Sequence, residues 1–61
     1  MSYSNFLHFL RSRFPGENIE SEHEDGKHIA RVSGTIKLVA NTTTPYVTVI
    51  WGSGHKAIIR V

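Results

Sequence analysis

Residues 19–38, IESEHEDGKHIARVSGTIKL, decide the fold. Asp25-Gly26 sits near the centre of this stretch, and Asp-Gly is a favoured pair for a two-residue hairpin turn because glycine accepts the left-handed backbone such turns require. Folding the chain there sets Glu24 against Lys27, Glu22 against Ile29 and Glu20 against Arg31 on one face. Side chains alternate along a strand, so the opposite face receives His23 against His28, Ser21 against Ala30 and Ile19 against Val32. Ser33-Gly34 marks a second turn. A loop of Ser33, Gly34 and Thr35 brings Ile36 to Val32 and Leu38 to Ala30, which predicts a third strand over 36–40.

Toward the C-terminus, a polar loop from Asn41 to Pro45 leads to 46–51, YVTVIW, a run of the β-branched and aromatic types that favour strands. Gly52-Ser53-Gly54 is a third turn. As a three-residue loop it sets Trp51 against His55, Val49 against Ala57 and Val47 against Ile59, and a fifth strand runs to the end of the chain.

Before the strands, Tyr3, Phe6, Leu7, Leu10 and Phe14 recur at helical spacing and predict one helix over 3–14. Ser2 or Ser4 is placed to cap its start. Pro15 pushes Phe14 out of helical conformation and Gly16 follows, so the helix stops there. Phe9 lies off the stripe, beside Arg13.

Short connections favour sequential neighbours. The expected fold is therefore α+β, with one N-terminal helix packed on a five-stranded antiparallel meander; the alternative is a small, partly closed barrel with the helix as a lid. At 61 residues the chain makes one domain, residues 1–61, and a domain of this size buries a modest share of its surface. It has no cysteine, which rules out disulfides, thiolate metal sites and thiol catalysis and fits a reducing, cytoplasmic setting. No apolar run approaches the roughly 20 residues of a membrane helix.

The register sorts the strand residues into two faces. Ile19, Ala30, Val32, Ile36, Leu38, Val47, Val49, Trp51, Ala57, Ile59 and Val61 share the face that matches the helix stripe and should form the core. Lys27, Arg31, Lys37, Lys56 and Arg60 share the other face with Ile29, Val39, Tyr46, Thr48, Ile50 and Ile58. A face that was merely solvated would hold fewer apolar residues. One short helix cannot cover both sides, so the second face is open for a partner, covered by another copy, or shielded by the stems of its own lysines and arginines.

The net charge of +2 conceals a segregation. All five acids fall between Glu17 and Asp25, and no acid follows Gly26. Neighbouring strands of opposite charge predict ion pairs between the acidic segment and the basic one beside it.

Catalytic signals are weak. Ser21 lies two residues from His23 on one face, but any hairpin of this composition shows that, and there is no nucleophile elbow. His23 and His28 face each other across the turn, yet a third metal ligand is missing, so no metal and no cofactor are expected; the pair reads as two ordinary imidazoles near the sheet edge. Gly52-Ser53-Gly54-His55-Lys56 lacks the Walker spacing and a following helix, and reads as a tight turn.

The expected function is thus non-enzymatic: a small binding protein, homo-oligomeric, acting by protein–protein contact as an inhibitor or adaptor of the kind common among viral and mobile-element products. Phe9, Tyr46, Ile50 and Ile58 are the expected apolar anchors, and Lys37, Lys56 and Arg60 the steering charges. The alternative is nucleic-acid or nucleotide-phosphate binding by the same basic face, with Tyr46 as a stacking platform. Against it, Glu20, Glu22 and Glu24 point the same way as the cations and repel phosphate near the first two strands.

Overall fold

A computed structural model describes all residues, Met1–Val61. One helix, α1 (Tyr3–Arg13), precedes five strands: β1 (Ile19–Glu24), β2 (Lys27–Val32), β3 (Ile36–Asn41), β4 (Tyr46–Ile50) and β5 (Lys56–Arg60). Each strand pairs antiparallel with the next, giving a sheet of order β1-β2-β3-β4-β5. The α+β meander is the observed fold. The sheet stays open, with β1 and β5 as its edges, so the barrel alternative is not adopted.

The helix begins as its sequence requires. Ser2 is extended, and its hydroxyl accepts the Asn5 backbone N–H at 3.1 Å, satisfying a donor the first turn leaves free. It ends one residue earlier than expected: Phe14 has left helical geometry, although its N–H still donates to the Leu10 carbonyl at 2.8 Å. Arg11 and Arg13 occupy the last turn, where the helix dipole favours cations.

The strand registers agree with the hairpin reading pair for pair. His23 faces His28 and Ile19 faces Val32 across β1–β2. Val32 meets Ile36 across β2–β3, and Val49 meets Ala57 across β4–β5. Gly26 supplies a φ of 77° at the first turn. At the second, Ser33 (φ 53°) and Gly34 (φ 74°) are both left-handed, and the Thr35 N–H donates to the Val32 carbonyl at 3.2 Å. Ser33 is the one non-glycine residue in that region, a conformation costly for a residue with a Cβ. β3 runs one residue further than expected, to Asn41; Trp51 lies past β4, though its N–H still donates to the His55 carbonyl at 2.9 Å.

The core lies between α1 and one face of the sheet. Phe6 and Leu10 from the helix join Ala30, Val32, Leu38, Ala40, Val47 and Val49, all buried. Tyr3, Leu7, Phe14, Ile19, Ile36, Trp51 and Ile59 pack around them half-buried. Fully burying a side chain such as Phe or Leu stabilises by about 1.5–3 kcal/mol, so this single layer carries most of the folding free energy.

One polar residue joins the core. His28 is 2% exposed, lies beneath the N-terminus and stacks on Phe6 with ring centroids 5.5 Å apart. Its ring is satisfied on both sides. A carbonyl can only accept, so His28 Nε2–H donates to the Met1 carbonyl at 2.8 Å. In neutral rings His28 Nδ1 is then the acceptor, and His23 Nδ1–H donates to it at 2.9 Å. His23 is thus an exposed edge imidazole as expected, whereas His28 is a core residue. This burial has no local signal in the sequence, because it depends on the N-terminal segment folding over the ring. The Met1 ammonium holds that segment down by donating to the Thr42 carbonyl at 2.7 Å.

Candidate functional site

The sheet face turned away from α1 is the candidate site. Along β2, β3 and β4 buried residues alternate with exposed or half-buried ones, so every second side chain projects from the uncovered side. The registers arrange that side in rows across the sheet. Glu20, Arg31, Lys37, Ile50 and Lys56 form a row at one end. Glu22, Ile29, Val39, Thr48 and Ile58 form the central row. Glu24, Lys27 and Asn41, with Tyr46 opposite Arg60, line the other end.

Six of the seven expected contact residues therefore share one surface: Lys37, Tyr46, Ile50, Lys56, Ile58 and Arg60. Phe9 does not join them. It is half-buried on the helix and packs against the core, on the other side of the sheet. Ile58 is 71% exposed and Tyr46 47%, while Ile50 is half-buried. Ile29 and Val39, half-buried in the central row, belong to the same surface and were not among the expected anchors. The register alone was enough to place them there.

The electrostatics of the face differ from expectation. The acidic and basic strands were expected to neutralise each other, yet the only ion pair is Glu24–Lys27, at 3.8 Å between half-exposed side chains. Glu20 is opposite Arg31 in the ladder without forming an ion pair, because exposed long side chains gain little by being held in one geometry. Arg31 is also directly opposite Lys37, a like-charge neighbour that costs stability. Across the sheet, charge runs from an acidic edge (Glu20, Glu22, Glu24) to a basic edge (Lys56, Arg60), largely uncompensated within the chain.

Concave sites are shallow. A groove of about 290 Å³ lies between α1 and β1, against Leu7, Leu10, Phe14 and Ile19. A wider, open hollow of about 590 Å³ lies beside Met1, Tyr3, His23, His28 and Thr42. There the Tyr3 and Ser21 hydroxyls share a hydrogen bond of 2.8 Å, so Ser21 is engaged with Tyr3 and not with His23. Nowhere do three metal-ligating side chains come together. No helix is long and apolar enough to cross a membrane.

No family model matches the chain, and no curated protein and no solved structure matches it either.

Proposed function

We propose that this chain is a non-catalytic binding protein, an inhibitor or adaptor in kind, that engages other protein surfaces through its uncovered sheet face, in a cytoplasmic setting. The observation that carries the reading is a central row in which Ile29, Val39 and Ile58 predominate, with Thr48 between the last two and Glu22 at its edge, set between more highly charged rows and left without a helix over it. An apolar centre with a polar rim is the common anatomy of protein interfaces. Ile58 projects at 71% exposure from an edge strand, and Tyr46 and Ile50 flank it as further anchors. Lys37, Lys56 and Arg60 form no ion pair within the chain and are available to steer an acidic surface.

The test is affinity capture from the native host with wild-type protein and an Ile58→Lys variant as parallel baits. A partner held by the wild type and lost by the variant supports the reading. A partner retained equally by both removes this face as its binding site.

A second reading has one observation in its favour: Arg31 and Lys37 stand opposite each other, with Ile50 and Lys56 continuing the row. Such a basic row suits a phosphate backbone. Short DNA and RNA titrated at two salt concentrations separate the readings. Phosphate binding falls steeply with salt, and an apolar protein contact changes little.

A further inference from the structure

From the charge order of the open face we infer that its partner is a second copy of this chain, laid face to face about a two-fold axis parallel to β3. The inference rests on the reading above that this face binds protein, and adds the partner's identity and orientation. A symmetric dimer must be self-complementary, with each residue meeting the copy of its own counterpart. Of the face-to-face arrangements that keep the strands of the two copies aligned, two place the axis in the plane of the sheet, across the strands or along them. With the axis across the strands, β1 lies over β1 and β5 over β5, so acids meet acids and Lys56 meets Arg60. With the axis along β3, the β1 edge of one copy lies over the β5 edge of the other.

The observed register then aligns the charges. β1 and β5 run in the same direction, and Glu20 and Lys56 share one end row while Glu24 and Arg60 share the other end. Glu20 meets Lys56 of the second copy, Glu24 meets Arg60 of the second copy, and the symmetry repeats both contacts. At the centre Val39 meets its own copy, and Ile29 meets Thr48 of the other chain. Three contacts oppose this arrangement. Glu22 lies over Ile58, Arg31 lies over Ile50, and Lys37 faces its own copy at the end of the sheet, where long stems let the charged groups spread into water. Of the four residues that would pair between copies, Glu20, Lys56 and Arg60 form no ion pair within one, while Glu24 has the 3.8 Å contact to Lys27.

The interface is small. Strands about 4.8 Å apart, with same-face side chains about 7 Å apart along them, span roughly 400–500 Å² per copy. That is below the usual 800 Å² per partner. The dimer is therefore weak and concentration-dependent, with a Kd in about the 1 μM to 1 mM range.

Sedimentation equilibrium at low salt tests this with a charge-swap series. Wild-type protein should shift from monomer to dimer across that range. Glu20→Lys with Glu24→Lys should stay monomeric, and so should Lys56→Glu with Arg60→Glu. Mixing these two double variants should restore a dimer, because each acid then faces a base again. The quadruple variant should dimerise alone. Circular dichroism confirms that each variant is folded, and concentration-dependent NMR shifts at Val39 and Ile58 of the wild type report the face without any substitution. A wild type that remains monomeric at about 1 mM overturns the inference, as does a wild-type dimer that the charge reversals leave intact. If the wild type is monomeric but Ile58→Lys still loses a captured partner, only the second-copy inference falls. If Ile58→Lys loses nothing as well, the reading of the face falls with it.

Discussion

The two faces of this sheet are built from alternate residues of the same strands, yet they have opposite fates. On the helix side Leu38, Val47 and Val49 are buried to 1% exposure or less, while on the other side their neighbours Val39, Thr48 and Ile50 are half-buried and Ile58 projects at 71%. The residue types differ little, with valine and isoleucine on both. What differs is that an 11-residue helix closes one face and nothing in the chain closes the other. β-branched residues mark a strand, and whether they become core depends on which layer lies over them.

The contrast is sharpest in substitutions, and the largest effect belongs to the covered side. Phe6→Ala should cost about 3–5 kcal/mol, enough to abolish cooperative urea unfolding in so small a domain. An unchanged midpoint would show that α1 is not the layer that makes the core. His28→Leu keeps the volume but removes the ring's bonds to the part-buried Met1 carbonyl and to His23, and should cost about 1–3 kcal/mol by the same measurement. A variant as stable as the wild type would mean that these polar contacts bring no net gain over an apolar core.

Gly34→Ala tests the turn that sets the β2–β3 register. At a φ of 74° the added Cβ meets no neighbour, so the loss, about 1 kcal/mol, comes from backbone conformation alone. On the open face the expected change is smallest. Ile58→Ala should move monomer stability by no more than about 0.5 kcal/mol, read as a near-constant thermal midpoint at low concentration. A loss as large as that of Phe6→Ala would place Ile58 in a core and erase the distinction between the faces.

Much of the architecture could be read along the chain because its determinants are local. Asp25-Gly26 and Ser33-Gly34 set the first two hairpins, and the alternation on either side of them fixed which residues share a face. The ionic behaviour of those residues was not legible: Glu20 and Arg31 are neighbours in the ladder but not an ion pair, because side-chain entropy and hydration decide that contact. Phe9 was legible only in part. Lying off the helix stripe says that it is peripheral, but not which neighbours it leans on.

By itself, the sequence determined the helix, the five strands, the hairpin registers and the segregation of acids from bases, since turn chemistry and period-two alternation act over a few residues. Only the tertiary structure decided that His28 is a core residue held under the N-terminus, that Phe9 packs half-buried against the core, and that the charges on the open face go largely unpaired. Those outcomes depend on which distant segment covers which face, and burial and ion pairing are settled by neighbours far away along the chain.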